Sequence, residues 1–128
     1  MYEELTIAEL TTEARRIYER DNKNGSIGDN WFIISEYLEA IHKKVADSEI
    51  FKNVCKEVGI FWRTSYYLLD LRKHFIQHDI EPPQGISWKM LVTALPILTW
   101  RNQREIFSHC REKTLAEMKI FAKTYPRD

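Results

Sequence analysis

Arg63 stands among rings. The run Phe61-Trp62-Arg63-Thr64-Ser65-Tyr66-Tyr67 sets one guanidinium beside four aromatic side chains. A guanidinium can contact guanine bidentately, and tyrosine hydroxyls can hold phosphates. Trp, Tyr and Arg are also the usual anchors of protein interfaces. Lys52, Lys56, Arg72 and Lys73 flank the run with charge that suits a phosphate backbone. His74 and His78 share a helix face with Asp70, but no HExxH or CxxC pattern accompanies them. They read as solvated histidines at a helix C-terminus, where positive charge is favoured. Cys55 lies in an apolar helical pattern, which suits a buried thiol rather than a nucleophile. Glu3 and Glu4 lie near the start, and the chain has no Gly-rich phosphate loop and no nucleophile elbow. No catalytic set assembles, so the expectation is a non-enzyme without metal or cofactor.

The bulk composition bounds what must position these residues. A chain of 128 residues is one domain's worth. Apolar residues at 44% and charged residues at 30% describe a globular protein rather than a disordered one. Four Gly and four Pro leave few turns, which favours helices. The opening Met1-Tyr2-Glu3-Glu4-Leu5 has no signal-peptide character, and no apolar run approaches a membrane span. A cytoplasmic location is expected, with Cys55 and Cys110 as buried free thiols. The formal net charge is zero, unlike a typical nucleic-acid binder. The charge is unevenly distributed, however. Residues 1–50 carry 6 Lys/Arg against 11 Asp/Glu, and residues 51–128 carry 13 against 8. A phosphate-facing surface should therefore come from the C-terminal part.

Periodicity predicts an all-α chain of about six or seven helices in a single domain, residues 1–128. Thr6-Ile7-Ala8-Glu9 is a capping box, opening a helix to about Arg20 with Ile7, Leu10, Ala14, Ile17 and Tyr18 on one face. Residues 21–29 read as a loop. A second helix runs from about Asn30 to near Asp47, with Ile33, Tyr37, Ile41 and Val45 as its stripe and Ile34, Leu38 and Ala40 widening it. Ser48 is the expected cap of a third helix burying Phe51, Val54, Cys55 and Val58, and Gly59 ends it. The fourth, Phe61 to about Gln77, should bury Thr64, Leu68, Leu71 and Phe75. After a loop from Asp79 to Gly85, Ser87 caps a fifth helix through Trp88, Leu91, Val92 and Leu95, which Pro96 ends or bends. A sixth, from about Thr99 or Asn102 to Glu112, buries Ile106, Phe107 and Cys110. Thr114-Leu115-Ala116-Glu117 is a second capping box that starts a last helix with Met118, Phe121, Ala122 and Tyr125, unless one long helix runs through Lys113. Arg101, Arg104, Arg111, Lys113, Lys119 and Lys123 make this C-terminal region basic, interleaved with Glu105, Glu112 and Glu117.

Residues 48–77 have the spacing of a helix-turn-helix. Cys55 is the small residue at the helix crossing, Gly59 supplies a positive φ, and Ile60 plugs the corner. Thr64, Ser65 and Leu68 face back. The span from Gly28-Asp29-Asn30-Trp31 through Phe75, then Gly85 to Pro96 and Thr114 to Met118, resembles phage and mobile-element helix-turn-helix proteins. The resemblance is to the plasmid-partition (ParB/KorB-like) type and its relatives, and it covers roughly residues 28–123 as loose patterns. It implies a regulator or partition-type factor that binds double-stranded DNA, often as a homodimer.

Two readings of the recognition positions follow. In one, Arg63 reads a base, Trp62, Tyr66 and Tyr67 support it, and Lys52, Lys56, Arg72 and Lys73 hold the backbone. In the other, Phe61, Trp62 and Tyr66 form a protein interface. The chain is then a small helical binding module, such as a phage-encoded inhibitor of a host defence complex or a subunit of a nucleoprotein complex. Zero net charge and the rings favour the second; the scaffold and the basic C-terminal part favour the first. The rings can also serve simply as core, except Trp62 and Tyr66, which lie one turn apart and off the Thr64/Leu68/Leu71 stripe.

Overall fold

A computed structural model of the chain describes residues 2–21, 27–45 and 47–126. Among them lie seven α-helices and no strand: α1 (Ile7–Asp21), α2 (Trp31–Lys44), α3 (Ser48–Val58), α4 (Trp62–Gln77), α5 (Trp88–Ala94), α6 (Gln103–Glu112) and α7 (Leu115–Thr124). Short 3-10 turns cover Tyr2–Glu4, Gly28–Asn30 and Leu95–Ile97. None of the described helices is long and apolar enough to cross a membrane.

α1 packs on α2 and α3, α2 on α4, and α5 on α7, with α4 contacting α5. The buried side chains form one continuous apolar cluster from Leu10 in α1 to Ala122 in α7. Its largest members are Trp31, Phe51 and Phe75, and the Trp31 ring meets Phe75 edge-on at 5.3 Å. Cys55 and Cys110 are free and buried within it.

Both capping boxes form. The Thr6 hydroxyl accepts from the Glu9 amide and Glu9 accepts from the Thr6 amide. Thr114 and Glu117 repeat the exchange, and that second cap separates α7 from α6. Ser87 caps α5 as expected, accepting from the Met90 amide.

Three local expectations are corrected. α3 is capped by Asp47, not Ser48: the Asp47 backbone is extended and its carboxylate accepts from the Glu49 and Ile50 amides. Asp47 therefore occupies the position from which a side chain reaches the second and third amides, and Ser48 is already helical. In α2 the buried stripe is Trp31, Ile34, Ser35, Leu38 and Ile41, while Ile33 is 43% exposed. A strict four-residue repeat overshoots a 3.6-residue turn by about 40° per step, so Ile33 and Val45 cannot share one face. In α4 the inner small residue is Ser65, with Thr64 half-buried. Of the expected loop at 21–29, residues 22–26 lie outside the described residues, Asp21 ends α1, and Gly28–Asn30 form a 3-10 turn.

The α3–α4 corner is set by Gly59, at φ 104°. Its amide donates to the carbonyls of Cys55 and Lys56, and the Ile60 amide donates to Cys55, which closes the carbonyl end of α3. Ile60 then drops into the core. A Cβ on Gly59 would come within 3.2 Å of the Tyr18 ring of α1. Gly59→Ala therefore meets both backbone strain and a packing conflict. It should lower unfolding free energy by about 1–3 kcal/mol, read as a shift in the urea midpoint; an unchanged midpoint contradicts this account of the corner.

Candidate functional site

Phe61 sits at the N-cap of α4 in extended backbone, without a side-chain cap on the helix, and its ring is 62% exposed. It stands between two open grooves that share Ile60 and Phe61. The first, about 480 Å3, is lined by Lys52, Asn53, Lys56, Gly59 and Trp62 beside the shared pair. The second, about 350 Å3, is lined by Ile27, Thr64, Ser87, Trp88 and Lys89. Neither groove has a carboxylate among its described lining residues, and together they carry three lysines.

Trp62 is the centre of the cationic side. Lys52 Nζ lies 4.5 Å from its ring centroid and the Arg63 guanidinium 5.3 Å away. Such contacts hold the cations against the ring while leaving polar atoms for a further partner. Lys52 is also 3.3 Å from Glu49, which offsets part of its charge. Lys56 and Arg63 are exposed. The uncapped amides at the start of α4 add positive potential at the same corner.

The structure therefore brings Lys52, Lys56, Phe61, Trp62 and Arg63 together. Tyr66 stays edge-on to Trp62 at 6.1 Å, while its ring also packs toward α2 and α3, 5.3 Å from Phe51 and 5.9 Å from His42. The structure distributes the other expected residues elsewhere. Tyr67 lies on the opposite flank, stacked on Trp88 at 6.1 Å, and is 46% exposed. Lys73 lines a separate α2–α4 groove with Glu39, His42 and Asp70. Arg72 faces inward: its side chain is 14% exposed, its Nε is 3.3 Å from Glu39, and its guanidinium lies over Phe32. Glu36, 3.8 Å from Arg72, also accepts from the Tyr2 hydroxyl, which pushes the Tyr2 pKa up to about 12. Arg72 thus ties α4 to α2 and stands apart from the Arg63 surface.

Trp88 and Lys89 join the corner although the sequence reading left them out of the site. Helix periodicity placed Trp88 in the apolar face of α5, but Met90, Leu91 and Ala94 fill that face and Trp88 is half-buried. The available signal was the Gly85-Ile86-Ser87 approach to the α5 cap, which leaves two residues before the buried Met90 and Leu91.

Burial holds the Cys55 thiol above its ordinary range, opposed more weakly by the nearby Ser65 hydroxyl, and pushes Cys110 up to about 11. Both are poor thiolate nucleophiles at neutral pH. Among the described residues, no group of three or more His, Cys, Asp or Glu side chains is placed to hold a metal ion. The His74 and His78 rings lie 4.1 Å apart, and His74 Nε2 donates to the Leu98 carbonyl at 2.8 Å. Compared with protein-family models, with curated proteins and with solved structures, this chain gives no match.

His74 has a consequence for stability. Burial lowers its pKa below 6.5, with a smaller contribution from His78, while the Leu98 hydrogen bond opposes the shift. The unfolded chain then binds a proton more readily than the folded one. Stability is full above the unfolded value and falls as pH drops through it. The urea midpoint should be lower at pH ~5.5 than at pH ~7.5, and His74→Gln, which keeps an N–H donor, should flatten that difference. An equal pH slope in His74→Gln rules His74 out as its source.

Proposed function

We propose that this chain is a DNA-binding protein that docks through the α3–α4 corner. One observation carries the reading: Lys52, Lys56, Arg63 and Lys89 surround the protruding Phe61 and the Trp62 ring, with no carboxylate among the described residues lining either groove. Cations of this kind neutralise phosphates and release counterions, whatever the overall net charge. The α3–Gly59–α4 arrangement supports a helix-turn-helix role in which α4 meets the DNA and Arg63 reads a base edge. The resemblance across residues 28–123 adds the biological setting, a regulator or partition-type factor of a phage or mobile element, acting as a homodimer.

A protein partner is the second reading, favoured by the apolar exposure of Phe61 and Tyr67. It predicts association that survives high salt, since buried rings rather than phosphate contacts would supply the affinity.

The two readings separate in a salt-titrated anisotropy assay with random-sequence DNA, offered as duplex and as single strand. Three or four phosphate contacts give a log–log salt slope of about −3 for duplex. Arg63→Ala should weaken binding several-fold and reduce the salt slope by about 1, the loss of one cationic contact. Absence of binding to both forms at low salt overturns the DNA reading.

A further inference from the structure

The groove between α4 and α5 has a shape that a DNA duplex does not fill. Phe61 forms one side and Trp88 the other. Ile27 and Ile60, both buried, line the apolar part, and Thr64 and Ser87 contribute hydroxyls. Lys89 completes the lining with a positive charge, and its Nζ lies 5.8 Å from the Trp88 ring centroid. At about 350 Å3 the volume is at the small end of small-ligand sites, which run from about 300 to 1,000 Å3.

We infer that this groove receives one unpaired nucleobase, stacked between Phe61 and Trp88, so that the ligand is single-stranded or locally unpaired DNA rather than intact duplex. The inference rests on the DNA-binding reading of the corner and names the form of DNA that it takes. In a duplex the base faces are already stacked on neighbours, and only edges reach a protein. The exposed Phe61 ring borders a concave slot of mixed polar and apolar lining, with Trp88, stacked on Tyr67 at 6.1 Å, on its other side. An exposed ring offers a π-face, which every base can use when it leaves the stack.

The charges fit a strand rather than a free nucleoside. Lys89 lies in the groove on one side of Phe61, and Lys52 and Lys56 lie in the groove on the other. A backbone crossing the Phe61 ridge meets a cation before and after the stacked base. Cations tracking a backbone, with rings that take successive bases, are the general pattern of single-strand recognition. Trp62, held under Lys52 and Arg63, offers a ring beside the second groove. The hydroxyls of Thr64 and Ser87 give the bound base polar contacts without selecting one edge pattern.

The test uses the whole chain with a labelled oligothymidylate of about 12 nucleotides, within the usual site size for single-strand binders, and a mixed-sequence duplex of the same length at equal salt. Single-strand affinity should exceed duplex affinity, and binding should quench intrinsic tryptophan fluorescence. Phe61→Ala removes an exposed ring, so folding is preserved. It should weaken single-strand binding by about tenfold and duplex binding by clearly less, as loss of one stacking partner demands. Phe61→Tyr, which keeps the ring, should restore it. Duplex bound as tightly as single strand, or single-strand affinity indifferent to Phe61→Ala, overturns this inference and leaves the DNA-binding reading standing. Failure to bind either form overturns both.

Discussion

At Gly59 the chain turns through a positive φ directly beneath the Tyr18 ring, and the geometry of the surface follows from that turn. α3 can end there only because the Gly59 and Ile60 amides satisfy its last carbonyls. Ile60 is then drawn into the core, and the next residue, Phe61, stands exposed at the N-cap of α4. The exposure of that ring is a consequence of the corner. Lys52 and Lys56, one turn apart on α3, come alongside Trp62 for the same reason. A side chain at 59 would press on the Tyr18 ring of α1, and so the arrangement ties the packing of three helices to the shape of one surface.

Much of the helical framework was legible in the sequence, because capping and turn chemistry are local. Thr6, Ser87, Thr114 and Gly59 each act within a few residues of themselves, and each does what its type and neighbours indicate. What escaped was tertiary. The face that α2 buries depends on its lying against both α1 and α4, which selected Trp31 and Ser35 over Ile33. Asp47 over Ser48 is a one-residue contest between two good caps, decided by which backbone is extended.

The site divides along the same line. Lys52, Lys56, Phe61, Trp62 and Arg63 are close in sequence, and the corner keeps them close in space. Arg72 looked equivalent to Lys73 in sequence, yet α2 supplies Glu36 and Glu39 to hold it inside. Nothing within α4 announces those partners. Trp88 and Lys89 reach the corner only through the packing of α5 against α4, across a loop containing Pro82 and Pro83. The zero net charge likewise conceals a local surface whose described lining is cationic and aromatic.

The central claim is that the corner around Phe61 is where DNA sits. The most direct measurement is an amide and indole chemical-shift map of the labelled protein during titration with DNA. The account predicts the largest changes at Lys52, Lys56, Phe61, Trp62, Arg63, Trp88 and Lys89, with small changes at Arg72. Changes confined to α6 and α7, with residues 52–63 unmoved, would contradict it.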